Sequence, residues 1–240
     1  MIQSGIKYKS LFFDLDDTLW DTCHNNKECL KEIYSDYNFG RYYHSFGEFF
    51  DIYTPHNEML WTKYRNHEIE RRTLILDRWL FILRNMGMND NEYALKINSD
   101  FLQRTTTKTK IISGAIELLE YLYPKYRLFI LSNGFREVQS LKMQNSGLAP
   151  YFERIILSED ASIQKPHKEI FDYALKNTNS RRVESLMIGD SFEADIAGAQ
   201  NARIDQIWLN PADANYKGNS IKYDPPTFTV RSLSEIKEIL

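Results

Sequence analysis

From Ile112 to the C-terminus the chain alternates short apolar runs with amphipathic stretches. No other feature narrows the folds open to it as much. Leu128-Phe129-Ile130-Leu131, Arg154-Ile155-Ile156-Leu157, Leu186-Met187-Ile188, Gln206-Ile207-Trp208-Leu209 and Thr227-Phe228-Thr229-Val230 have the length and composition of strands. An earlier run, Leu11-Phe12-Phe13, reads the same way. Between the later runs the spacing predicts helices over 115–123, 137–145, 168–176 and around 195–200, with Gly147 suited to a left-handed C′ position. A last helix is expected at Ser232, which forms a capping-box pattern with Glu235. Strands separated by helices of this length pair in parallel, so the expected fold is α/β, a parallel sheet with helices on both faces.

Such sheets bind ligands beyond the carboxyl ends of their strands, and the polar residues fall there. Asp14 and Asp16 follow the first run, and the two-residue period of a strand puts them on one side with Leu15 turned away. Ser132 ends the second run, Lys165 lies in the loop after Leu157, and Gly189-Asp190 follows Ile188. Taken alone, the Asp14–Thr18 stretch also reads as a turn or helix start. Paired carboxylates, however, stay ionised together only beside a compensating charge. Asp14, Asp16 and Asp190 make a hard, oxygen-rich set suited to Mg²⁺, and the absence of His and Cys argues against zinc. A lysine and a serine hydroxyl facing that ion suit a dianionic phosphate, with Ser132 and the amides around Asn133-Gly134 donating hydrogen bonds. One carboxylate is then a candidate nucleophile, and the other can protonate the leaving oxygen and later activate water.

The stretch from Trp20 to about Thr109 differs in character. It carries helical spacings and no convincing strand, and aromatic residues crowd Tyr34–Tyr64, as expected for the core of a helical bundle. Pro55 and Met86-Gly87-Met88-Asn89-Asp90 are expected to break it into several helices, the last starting near Asp90. The expected organisation is a domain of residues 1–19 and 110–240 interrupted by a helical domain of residues 20–109. A net charge of −3, with 30 basic and 33 acidic side chains, advertises neither a nucleic-acid surface nor a membrane surface. The 2 cysteines, Cys23 and Cys29, lack metal-ligand spacing and read as reduced thiols. Met1–Lys9 has no apolar run of signal-peptide length, and no window is long and apolar enough to span a bilayer. A cytoplasmic enzyme or binding protein is expected.

In order along the chain, Asp14-x-Asp16-x-Thr18, Ser132, Lys165-Pro166 and Gly189-Asp190-x-x-x-x-Asp195 resemble the four motifs of the haloacid dehalogenase-like hydrolase superfamily. The resemblance implies a Rossmann-like core with a mobile helical cap inserted after the first motif. It implies Asp14 as nucleophile and Mg²⁺ ligand, and Asp16 as general acid/base that ligates the metal through its backbone carbonyl. Ser132, helped by Asn133, would bind the phosphoryl group, and Lys165 would screen Asp14 against it. Asp190 would be the third metal ligand, and Asp195 would orient Lys165 or a metal water. Asp17 reads as a turn residue, Thr18 as a structural hydrogen-bonder, and His167 and Lys168 as an exposed helix start. Dehalogenases of the superfamily lack the acid two residues after the nucleophile and need no metal, so Asp16 and Asp190 favour a phosphatase. A phosphomutase would share both aspartates, whereas a non-catalytic module would be expected to have lost a motif residue.

Further stretches resemble bacterial pyrimidine 5′-nucleotidases of the house-cleaning type. These are Ser132-Asn133-Gly134-Phe135, Ile170-Phe171-Asp172-Tyr173-Ala174-Leu175, Trp208-Leu209-Asn210, and Pro226-Thr227-Phe228-Thr229-Val230 with Ser232-Leu233. That resemblance implies hydrolysis of nucleoside monophosphates such as dUMP, UMP and dTMP. Sugar phosphates, phosphoglycolate and sialic acid 9-phosphate are the alternative substrates. The cap would select among them, and its aromatics could stack a base or simply form its core. The expected partner is thus a small phosphorylated metabolite, with neither nucleic acid polymer nor membrane; oligomeric state is left open.

Overall fold

The computed structural model describes residues 7–212 and 224–240. Met1–Ile6, most of the N-terminal stretch read above, lie outside the described residues. Six strands form one sheet in which every pairing is parallel: β1 (Ser10–Phe13), β2 (Arg127–Ser132), β3 (Arg154–Leu157), β4 (Ser185–Gly189), β5 (Asp205–Leu209) and β6 (Phe228–Val230). Their order is β3-β2-β1-β4-β5-β6. This is the doubly wound, Rossmann-like arrangement, and the order reverses beside β1; in open sheets of this kind ligands bind beyond the strand ends at such a reversal.

The two-residue period sends the apolar residues of the central strands to two opposite faces, and both are covered. Leu11 and Phe13 of β1, Leu128 and Ile130 of β2, and Leu186 and Ile188 of β4 join one buried cluster with helix α5 (Ala115–Leu122). Phe12, Phe129, Leu131 and Met187 point the other way, into a second cluster with Ile170, Phe171 and Ala174 of α8 (Lys168–Asn177). Strands covered on both faces are apolar along their middle residues. The carboxylates therefore begin where β1 ends.

The chain separates into two compact units, Met1–Thr22 with Thr109–Leu240, and Cys23–Lys108. The second contains nearly all of α1 (Thr22–Asp36), then α2 (Phe46–Arg65), α3 (Arg71–Asn85) and α4 (Asn91–Thr107). Its core is aromatic: Phe39, Phe49, Tyr53, Trp79 and Phe101 are buried together. Asp90 caps α4 by accepting from the Tyr93 amide at 3.0 Å. Pro55 does not break its segment, because α2 runs unbroken from Phe46 to Arg65 with Pro55 inside it. Buried Phe49 and Tyr53 before the proline, and Leu60 and Tyr64 after it, anchor one apolar face and outweigh the missing amide donor.

Two other expectations are corrected. The C-terminal segment Leu233–Glu238 is a 3₁₀ helix, and Ser232 does not cap it. The Ser232 hydroxyl donates to Glu235 Oε1 at 3.0 Å, while Glu235 Oε2 accepts from the Arg231 amide at 3.1 Å. The stretch after Asp190 forms a π-helix over Phe192–Ala197 before the short α9 (Gly198–Asn201). Among the described residues no helix is long and apolar enough to cross a membrane, and neither Cys23, exposed, nor Cys29, buried, is in a disulfide.

Candidate active site

Asp14 emerges from β1 with its amide still donating to Ile188 O of β4 at 2.9 Å, so its main chain is held as an extension of the sheet. The side chain is buried, and its Oδ1 accepts from Lys165 Nζ at 2.6 Å. Burial pushes the carboxyl well above its ordinary pKa; Lys165 opposes this, while Asp195, Asp190 and Asp16 add to it.

Lys165 is almost fully enclosed, and its three donors are all used: on Asp14, on Leu131 O at 2.7 Å, and on Asp195 Oδ1 at 2.6 Å. Burial opposes its charge, but the two carboxylates outweigh that and hold the ammonium above its usual pKa. Its main chain is fixed by Asn133, whose Nδ2 donates to Lys165 O and whose Oδ1 accepts from Lys165 N, both at 2.9 Å. The Asn133 side-chain amide is thus committed to positioning Lys165.

The second oxygen of Asp195 accepts from Ser191 N at 3.1 Å. This places Asp195 against the end of β4, where a Cβ on Gly189 would lie 2.3 Å from Asp195 Oδ2. Only glycine permits that approach. The wider winding of the π-helix carries Asp195 there, in keeping with the frequent occurrence of such turns at functional sites. Asp190 is fixed by Thr18, whose hydroxyl donates to Asp190 Oδ1 and accepts from Asp190 N, both at 3.0 Å. Trp208 Nε1 holds Asp190 O at 2.8 Å. Burial first, then Asp195 and Asp17, push the Asp190 carboxyl up to about 7. Asp17 itself turns the chain with φ at 58°.

Asp16, two residues further on, is in different company. It accepts from Lys142 Nζ at 2.6 Å, Gln139 Nε2 at 2.6 Å and Thr22 Oγ1 at 2.7 Å. Burial works against its charge, but Lys142 and the hydrogen bonds hold the carboxyl below its ordinary pKa. Ser132, at the end of β2, accepts from Gln139 Nε2 at 2.7 Å and from Gly134 N at 3.1 Å. With both lone pairs occupied, its hydroxyl proton is left to donate.

Gln139 and Lys142, on α6 (Arg136–Asn145), were not singled out from sequence, where they resemble ordinary polar residues of a helix. Their signal was positional, because α6 follows directly on the Ser132-Asn133-Gly134 loop. His167 takes no part in the carboxylate cluster, serving as the N-cap residue of α8.

Asp14, Asp190 and Asp195 bring carboxylate oxygens within 4.8 Å of one another. Two of the three are driven above their ordinary pKa by burial and mutual repulsion, a condition that a divalent cation relieves. Both oxygens of Asp195 already accept hydrogen bonds, whereas Asp14 and Asp190 each have one oxygen bonded and one left for an ion. The all-oxygen donor set fits magnesium.

The sequence pattern described as haloacid dehalogenase-like hydrolase matches residues 11–209. The chain is 31% identical to the pyrimidine 5′-nucleotidase YjjG of Escherichia coli over 98% of its own length and 99% of the relative's. It is 30% identical to the pyrimidine 5′-nucleotidase PynA of Streptococcus pneumoniae, covering 97% and 95% respectively. A crystal structure of the HAD-hydrolase YfnB of Bacillus subtilis bound to magnesium superposes with a TM-score of 0.84 at 28% identity, covering 98% of this chain and 99% of that one.

Proposed function

The chain belongs to the haloacid dehalogenase-like hydrolase family, as a phosphatase, and from that premise we propose that it hydrolyses pyrimidine nucleoside 5′-monophosphates through an aspartyl-phosphate intermediate, with Mg²⁺ as cofactor. The observation that carries the chemistry is the meeting of Asp14, Lys165, Asp190 and Asp195 at the ends of β1 and β4. The preference for pyrimidine nucleotides rests on the two nucleotidase relatives.

In this reading Asp14, Asp190 and the backbone carbonyl of Asp16 would hold magnesium, which would neutralise charge on the phosphoryl oxygens. Ser132 donates its hydroxyl proton to one of those oxygens, and the Asn133 backbone amide assists. Lys165 keeps Asp14 from repelling the dianion. An Asp14 oxygen bonds to phosphorus as the bond to the leaving oxygen breaks, and Asp16 hands that oxygen a proton. Asp16 then takes a proton from the water that attacks the aspartyl phosphate. Its two protonation states therefore alternate in each cycle, and Lys142 favours the ionised one.

Phosphate release should be measured from dUMP, UMP, dTMP, AMP, phosphoglycolate and hexose phosphates, each with Mg²⁺ and with EDTA, beside chloride release from 2-chloropropionate. The expected result is Mg²⁺-dependent release concentrated on the pyrimidine nucleotides. Release spread over sugar phosphates would remove the nucleotidase reading. Chloride release without metal would remove the mechanism.

A further inference from the structure

One nitrogen links the two groups assigned separate tasks above. Gln139 Nε2 donates to Asp16 Oδ2 and to Ser132 Oγ, at 2.6 and 2.7 Å. Both of its hydrogens are used, and Gln139 is completely buried. Its other end, Oε1, is enclosed without a hydrogen-bond partner. The surroundings are also shaped to admit this side chain. A Cβ on Gly134 would lie 2.2 Å from Gln139 Nε2 and 2.4 Å from its Cδ. One turn further along α6, Lys142 reaches the other oxygen of the same carboxylate and lies 4.0 Å from the Trp20 ring centroid.

We propose that Gln139 is a positioning residue that fixes the Asp16 carboxylate and the Ser132 hydroxyl as one unit, with Lys142 as its counterpart on the second Asp16 oxygen. Because Gln139 donates to Ser132, the serine proton is directed outward to a phosphoryl oxygen. Because the same amide nitrogen holds Asp16, the proton-transferring carboxylate keeps a set distance from the bound phosphoryl group. This rests on the phosphatase reading and goes beyond it by naming what aligns the two groups.

The test uses two variants of the full chain that reach the same contact differently. Gln139→Met removes the donor while keeping the length of the side chain. Gly134→Ala leaves every polar group in place and displaces the end of Gln139. Each is assayed with UMP, which has a poor leaving group, and with p-nitrophenyl phosphate, whose leaving group needs little protonation. Inhibition by inorganic phosphate is measured alongside. The expected outcome is a fall in kcat/KM for UMP of about 100-fold, at least ten times the fall for p-nitrophenyl phosphate. Inorganic phosphate should inhibit several-fold more weakly, and Gln139→Glu, which repels Asp16, should be no better than Gln139→Met. Equal losses on both substrates with unchanged phosphate inhibition would overturn the proposal, as would a Gly134→Ala enzyme indistinguishable from wild type. If either variant fails to fold, the other carries the same comparison. Failure of the phosphatase reading looks different: wild type itself would release no phosphate.

Discussion

Asp14 and Asp16 stand two residues apart, each with a lysine ammonium at 2.6 Å, yet their carboxyl groups are pushed in opposite directions. Lys165 is shared between Asp14 and Asp195, and Asp190 lies close by, so one buried cation faces several carboxylates. Lys142 gives its charge to Asp16, which also accepts from Gln139 and Thr22. The difference shows that a contact lysine does not decide the state of a carboxylate. What decides it is the balance of charge and donors against the burial both acids share. The arrangement leaves Asp14 short of positive charge and Asp16 well supplied, so Asp16 is held in its ionised form.

The largest test of this contrast is Asp14→Asn. Turnover should fall by about four orders of magnitude or more, with circular dichroism and Tm showing a folded protein. Near-normal turnover would remove Asp14 as nucleophile. Asp16→Asn should cost about 10² to 10⁴ in kcat for nucleotides and distinctly less for p-nitrophenyl phosphate, because only the first needs its leaving oxygen protonated.

The pH dependence of stability sharpens the same contrast. Asp190 is pushed up to about 7 in the folded protein from an ordinary value of 3.8. Between those values the folded chain keeps a proton that the unfolded chain has released, so its stabilising share falls as pH rises through that window. Asp16 is shifted down, so its share is present above 3.8 and is lost as pH falls further. In EDTA, the Tm of wild type minus that of Asp190→Asn should therefore decline from pH 4.5 to pH 7.5. Added Mg²⁺ should raise Tm most at the upper end, where the carboxylates are ionised. A flat difference in EDTA would show that the Asp190 carboxyl is not shifted upward, and an equal Mg²⁺ effect on wild type and Asp190→Asn would remove Asp190 from the cation site. The smallest effect is expected of Thr22→Val, which takes away one of three donors to Asp16. It should lower kcat/KM less than tenfold, about 1 kcal/mol, and leave magnesium dependence unchanged.

The sheet and the carboxylates were legible because strand period and residue chemistry are local properties. Phe12 and Phe13 announce a strand buried on both faces, and Asp14 and Asp16 announce its end. Gln139 and Lys142 were not legible, because their partner Asp16 lies 123 and 126 residues away and nothing on α6 marks them. That the Asn133 side-chain amide braces the Lys165 backbone was not legible, because it depends on a loop 32 residues distant. Pro55 misled because a local breaker was weighed without the apolar face that holds α2 together. Ser232 and Glu235 matched a cap pattern, yet the hydroxyl donates where a cap would accept.

The position of β1 has a consequence for the way this chain reaches its native state. Ser10 pairs with Arg127 on one side and Ser185 on the other, so the strand synthesised first lies at the centre of the sheet and waits longest for its neighbours. Leu11, Phe12 and Phe13 leave the ribosome with no partner strand available, and stay so until Arg127–Ser132 and Ser185–Gly189 have been synthesised. Contacts so distant in sequence form slowly, and an unpaired apolar edge invites association with other chains in the meantime. The helices of Cys23–Lys108 rest on nearby contacts and have a far shorter search. Asp14 and Asp190 come together only when β1 finds β4, so recovery of helical signal after denaturation should precede recovery of turnover.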